Sequence, residues 1–214
     1  MNAKPAGTPL GLVLVIFAVA LAGCALTPPS QELPASYDLG PLPRHERAQP
    51  VLSATVLLPD VAAPSWLDGP GIVYRLVYDE PARLRTYAKS RWKAPPAALL
   101  SQRLRGHFAA ATQRGIVTGD DGARADYMIR VELEDFSQIF SAPGASRVAV
   151  RARSSLVNVR ERALVAQRAF SFERPAPSPD APGAVTAFAG ASDELIESLL
   201  EWAGEQLHAQ RQKK

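Results

Sequence analysis

The chain has 214 residues, 24 of them basic and 21 acidic, a formal charge of +3 and 47% hydrophobic side chains, which is apolar material for one domain with appendages. That small basic excess makes no case for nucleic-acid binding, which concentrates Lys and Arg on one face. A single cysteine excludes an intramolecular disulfide and any zinc site built on two thiolates, and three well-separated histidines (His45, His107, His208) argue against a histidine metal site. Nineteen prolines exceed what a compact helical bundle tolerates, so the composition points to loops, strand edges and linkers and away from an enzyme.

Residues 1–9 carry one charge, Lys4, and the apolar run Leu10–Ala20 follows. About a dozen apolar residues suit the core of a signal peptide and are too few to span a bilayer. Leu21-Ala22-Gly23-Cys24 then completes a bacterial lipobox: small residues admit the signal peptidase, and the thiol accepts the diacylglycerol. The only cysteine of the chain stands at the one position where this chemistry uses it. Residues 1–23 are therefore read as a lipoprotein signal peptide, and its removal takes the charge from +3 to +2. Each buried CH₂ of an acyl chain contributes about 0.8 kcal/mol, so a multiply acylated Cys24 (diacylglycerol plus palmitate) holds the protein firmly. Ala25, where Asp would favour inner-membrane retention, points to the periplasmic side of the outer membrane of a Gram-negative cell.

Residues 24–50 contain Pro28, Pro29, Pro34, Pro41, Pro43 and Pro50 and read as an acylated cysteine on a proline-rich tether. At about 3.1 Å per residue, the stretch from Cys24 to Tyr37 reaches roughly 40 Å. Tyr37–Leu42 is a candidate first edge strand, and the domain proper is expected over 51–210. Val51–Leu58, Ile72–Tyr78 and Arg83–Ala88 read as strands, the last two as a hairpin across Asp79-Glu80-Pro81. Pro95-Pro96 opens a helix with the buried stripe Leu100, Leu104, Phe108 and Ala111, ended by Gly115. Tyr127–Glu134 alternates cleanly, with Tyr127, Ile129, Val131 and Leu133 inward and Arg130, Glu132 and Glu134 outward. Val148–Val159 and Leu164–Phe172 make a second hairpin across Arg160-Glu161-Arg162. The proline-rich loop 175–182 leads to a helix over 184–208 with the stripe Val185, Phe188, Ser192, Leu195, Leu199 and Trp202. Strands, helix, strands, helix predict an α+β fold: a largely antiparallel sheet with two helices packed on one face.

No phosphate loop, nucleophile elbow, zinc helix or C-x-x-C is present, and no metal or cofactor is expected. Asp120, Asp121 and Asp126 lack the alternating ligands and terminal Glu of an EF-hand and read as a solvated turn. Glu132, Glu134 and Asp135 suggest paired acids, but outward positions on an alternating strand make a solvent face the better reading. His107, beside Arg103 and Arg105, reads as a polar helix flank. Arg147, Arg151 and Arg153 share the parity of one strand and so one face; contact with lipid headgroups or an acidic partner competes with plain solvation.

The lipobox, Tyr37-Asp-Leu-Gly40, the run Arg91-Trp92-x-x-Pro95-Pro96 into a helix, Ala125-Asp-Tyr127, Leu156, Phe170-Ser-Phe172 and Trp202 together resemble the ABC-type transport auxiliary lipoprotein family, the paraquat-inducible protein C-like group. The resemblance implies a non-enzymatic outer-membrane lipoprotein, in a ring of identical subunits, serving an inner-membrane ABC transporter and a periplasmic MCE-domain protein that move lipid between membranes. From the family Cys24 carries over as the acylated position. Trp92, Pro95 and Pro96 carry over as a motif whose simplest role is structural, an aromatic plug beside a helix start. The competing class is a lipoprotein regulator or scaffold of cell-wall or outer-membrane assembly machinery, and a lipid-anchored hydrolase comes third.

Overall fold

The computed structural model describes residues 33–42, 51–112, 114–119 and 121–213. The signal peptide, the lipobox with Cys24, tether residues 25–32 and 43–50, and Asp120 lie outside the described residues.

In chain order the described elements are β1 (Ala35–Tyr37), β2 (Val56–Leu57), a 3-10 turn (Ser65–Leu67), β3 (Gly71–Leu76), β4 (Arg85–Trp92), α1 (Pro96–Ala110), β5 (Ile116–Val117), β6 (Tyr127–Ala142), β7 (Ala145–Asn158), β8 (Ala163–Pro175) and α2 (Ala181–Gln212). They form an α+β fold, one open eight-stranded sheet with two helices.

The clean alternation from Tyr127 grows into the longest strand. Tyr127, Ile129, Val131 and Leu133 are buried as expected. Beyond them the register with β7 slips between Leu133 and Asp135, leaving Glu134 as an extra residue. This bulge resets the parity, so that Phe136 joins the inward set and the strand continues to Ala142. One side of β6 pairs antiparallel with β7, and β7 with β8. The other side is shared by β2, by an isolated bridge at Ala62 and by β3, the strands all parallel to β6. Antiparallel ladders thus carry the long strands, while short parallel pairs (β1 with β4, β2 with β5 and β6, β3 with β6) fill the remaining edge.

Two boundaries differ from the sequence reading. The folded unit runs from Pro34, not from Val51. β1 adds to β4 with Tyr37 opposite Trp92, and Leu39 is buried. Gly40 then turns the chain at φ 74°, with its N–H donating to Asp38 Oδ1 at 2.8 Å, so the expected strand Tyr37–Leu42 is replaced by Ala35–Tyr37. The expected strand Val51–Leu58 also contracts to two paired residues, because β6 offers that segment only Tyr127 and Met128 as partners.

The inward face of the sheet is covered by both helices. The α1 stripe Leu100, Leu104, Phe108 and Ala111 is buried, and so are Phe188, Ser192, Leu195, Leu199 and Trp202 of α2; Val185 is half-buried. At about 1.5 Å per residue α2 is roughly 48 Å long, close to the roughly 53 Å of β6 at about 3.3 Å per residue, so one helix covers nearly the full length of the meander. At the centre Phe136 and Phe188 stack with centroids 4.2 Å apart, and Phe170 meets Trp202 edge-on at 5.9 Å. Asp180 caps α2, its Oδ1 accepting from Gly183 N–H at 2.8 Å.

Candidate functional site

Trp92 ends β4 in the middle of that aromatic cluster, edge-on to Phe136 at 5.7 Å and to Phe188 at 5.6 Å. Pro95 is the N-cap of α1 with extended ψ of 144°, and Pro96 is its buried first residue, where the missing donor costs nothing. The motif therefore turns the chain from sheet edge to helix around a buried aromatic ring.

Arg147, Arg151 and Arg153 stand on the outer face of β7, away from the helices. Carboxylates from both neighbouring strands answer them. Arg147 Nε lies 2.7 Å and Arg151 Nη2 3.3 Å from Glu173 of β8, and Arg153 Nη2 lies 2.9 Å from Glu132 and 3.5 Å from Glu134 of β6. Arg130 adds a further pair with Glu132 at 2.9 Å. The basic stripe is thus a ladder of exposed ion pairs, each worth about 0–1 kcal/mol. Glu132 and Glu134 serve as its counter-ions, and Asp135 accepts from Ser137 Oγ at 2.7 Å. Asp121 closes a turn by accepting from Thr118 N–H at 2.6 Å and its hydroxyl at 2.8 Å, while Asp126 pairs with Arg160 at 3.1 Å.

His107 departs from the sequence reading. It is buried, not a polar flank, because α2 covers that side of α1. Arg103 and His107, one turn apart, face Asp193 and Glu197, also one turn apart. Arg103 grips Asp193 through Nε at 2.6 Å and Nη2 at 2.8 Å, and His107 Nδ1 lies 2.8 Å from Glu197 and Nε2 3.3 Å from Asp193. The hydrogen bond with Asp193 raises the His107 pKa against the cost of burial, with Glu197 adding to it. Burial also opposes charge on Asp193, but hydrogen bonds from His107 and Arg103 outweigh it and hold the carboxyl down at about 2. Arg103 Nη1 further donates to Leu39 O at 3.0 Å and Gly40 O at 3.1 Å, so the cluster also pins the end of the tether to both helices. Leu42 seats over Gly106, where a Cβ would lie 2.5 Å from its Cδ1. A cleft of about 770 Å³ lies beside this clamp, between residues 36–42, Lys93 and the exposed flank of α2. Sequence reasoning missed the cluster; the signal was a pair of basic and a pair of acidic residues, each at i, i+4, on two helices expected to pack side by side.

The feature best suited to a partner is the edge of the sheet. β8 is 13 residues long and pairs with β7; among the described residues no strand pairs with its other side. Arg168, lying over the Phe170 ring at 5.1 Å, Arg174 and Pro175 guard parts of this edge, while Ala169-Phe170-Ser171-Phe172 between them carries no charge. Leu164 near its start is 61% exposed.

The sheet thus has one helix-covered face, one charged face and, among the described residues, one long unpaired edge. The chain belongs to the ABC-type transport auxiliary lipoprotein component family, whose model matches residues 37–199. Its fold is similar to that of a Xanthomonas campestris protein of the family designated DUF330, with a TM-score of 0.71 and 19% identity over 83% of this chain and 99% of that one. A second similar structure, of an uncharacterized protein, has a TM-score of 0.60 and 18% identity over 79% of this chain and 97% of that one. The dodecameric PelC of Paraburkholderia phytofirmans is more distant, with a TM-score of 0.41 and 14% identity over 72% of this chain and 88% of that one. No curated protein matches the sequence.

Proposed function

We propose that this protein is a non-enzymatic docking subunit of an MCE-type ABC lipid-transport system, anchored through acylated Cys24 to the periplasmic face of the outer membrane. The observation that carries the reading is the family match across the whole helix-backed sheet, residues 37–199. The protein works by position. Its lipid holds it at the membrane, the Arg103 clamp ties the tether to the domain, and the open β8 edge offers backbone donors and acceptors to a neighbouring subunit or to the periplasmic MCE component. Identical subunits form a ring if this edge meets a different surface of the next copy, since edge-to-edge pairing of β8 with itself closes a dimer. The charge ladder keeps the outer face soluble and is not assigned a headgroup role.

The test is recovery of the native lipidated protein from gently solubilised, crosslinked envelopes, with co-purifying proteins identified by mass spectrometry. An MCE-domain protein and ABC subunits are expected. Cell-wall synthases or outer-membrane assembly factors without an MCE component would overturn the reading in favour of a regulator or scaffold. Cys24→Ser should abolish acylation, and normal sedimentation of that variant with carbonate-washed membranes would refute the anchor.

A further inference from the structure

Three chain segments meet at one end of the sheet: the β3–β4 connection 77–84, the β6–β7 turn 141–145 and the β8–α2 loop 176–180. Val77 N–H donates to Phe140 O, and Ala176 N–H to Ser146 O, each at 3.0 Å, so the three lie side by side. All residues of 77–84 and 141–145 are exposed. Val77, Tyr78 and Leu84 on this one connection are 39%, 47% and 39% exposed. The turn Ser141-Ala-Pro-Gly-Ala145 has no charge, and the loop presents Pro177 and Pro179. The charges of the β3–β4 connection are paired locally: Arg83 with Glu80 at 2.9 Å, and Arg85 with Asp79 at 3.1 Å and Glu80 at 3.4 Å, while Asp180 of the loop is taken up in capping α2.

The chain enters the sheet heading away from this end: β1 is parallel to β4, which begins here, and pairs with its last three residues, Ser90–Trp92. Cys24 stands eleven residues before Ala35, which limits the distance between them to about 40 Å even when fully extended.

We propose that this end is a bilayer-docking surface, with Val77, Tyr78 and Leu84 seated at the boundary between headgroups and acyl chains of the membrane that holds Cys24. Apolar side chains beside a tyrosine suit that boundary, where one end of the ring is dry and the other wet. Because the contact is made by apolar side chains and not by ion pairing with headgroups, it depends little on salt. It sets orientation more than affinity: the long axis of the sheet stands away from the membrane, and the β7–β8 turn, roughly 50 Å off at about 3.3 Å per strand residue, faces the periplasm. The inference rests on the anchor reading above.

The test uses the full chain, expressed in cells that acylate Cys24, which leaves an introduced cysteine as the free thiol. Tyr78→Cys, Leu84→Cys and, at the far end, Glu161→Cys are labelled with an environment-sensitive fluorophore. Each is reconstituted in phosphatidylethanolamine–phosphatidylglycerol vesicles containing nitroxide-labelled lipid. Blue-shifted emission and lipid quenching several-fold stronger at 78 and 84 than at 161, unchanged in high salt, are expected. Water-like emission at all three positions, with protein still sedimenting with the vesicles, overturns the docking surface and leaves the anchor intact. Emission that shifts without nitroxide quenching, together with protein crosslinks from position 78 in envelopes, overturns it in favour of a protein partner. Protein that does not sediment with the vesicles overturns both the anchor and the docking surface.

Discussion

The same pairing of arginine and carboxylate occurs between the two helices and on the bare outer face of the sheet, with opposite physical meaning. Between the helices Arg103 holds Asp193 bidentately at 2.6 and 2.8 Å, with the arginine side chain 5% exposed. On the outer face Arg153 holds Glu132 at 2.9 Å with its side chain 45% exposed. The distances hardly differ, yet water screens both partners of the outer pair, whereas the inner arginine is buried and its carboxylate only partly wet. A buried pair contributes little net stability once desolvation is counted, but removing one partner strands the other charge. Distance alone therefore says little about what an ion pair does; burial decides whether it is replaceable.

Phe188→Ala, which empties the stacked position against Phe136 and Trp92, is expected to cost about 3–5 kcal/mol in denaturant unfolding. A loss under about 1 kcal/mol would show that the helix-covered face is loosely packed. Asp193→Ala should cost about 3 kcal/mol, since it leaves Arg103 and His107 buried without their shared counter-charge. Asp193→Asn, which keeps the shape, should recover only part of it. Stability of the order of the wild type in both variants would place the inner pair on a par with the outer ones.

Titration separates the two sites further. The folded-state pKa of His107 is raised above its ordinary 6.5, so its contribution is full below pH 6.5 and is lost as pH rises through the raised value. The Asp193 pKa is depressed from 3.8 to about 2, so its contribution is present above pH 3.8 and is lost as pH falls toward 2. Unfolding free energy measured across pH should therefore show a shoulder between these limits, and His107→Gln should flatten its alkaline side. An unchanged alkaline limb in that variant would remove His107 from the account. Asp180→Ala, which uncaps α2, should cost about 1 kcal/mol. Arg153→Ala, the outer counterpart of the Asp193 change, should move stability by less than about 0.5 kcal/mol at any pH, and by still less in high salt. A loss of 2 kcal/mol or more there would mean that the outer face is covered in the native assembly.

The difference between the two sites also explains which residues were legible. The outer ladder could be read because β7 carries no bulge between Arg147 and Arg153, so strand parity keeps Arg147, Arg151 and Arg153 on one face. Their counter-ions Glu132 and Glu173 come from separate strands, and only the β6–β7 and β7–β8 registers bring them opposite. His107 was misread because a helical position beside an apolar stripe looks alike whether water or a second helix covers it. Tether residues 35–42 were misread for a related reason. Prolines and a short apolar count describe a linker, yet Leu39 is buried and Leu42 lies against Gly106, contacts that exist only once α1 is in place.

Local chemistry determined a good deal of this protein without any tertiary contact. It specified the helix start at Pro95-Pro96, the apolar stripes of α1 and α2, the two hairpins and the α+β class, because spacing, proline geometry and side-chain alternation act within a few residues. The tertiary structure alone decided the bulge at Glu134 that re-aims Phe136, the parallel edge strands, the buried Arg103–His107–Asp193–Glu197 cluster and the unpaired β8 edge. These depend on which segments, distant in sequence, exclude water from each other, and no local pattern carries that information.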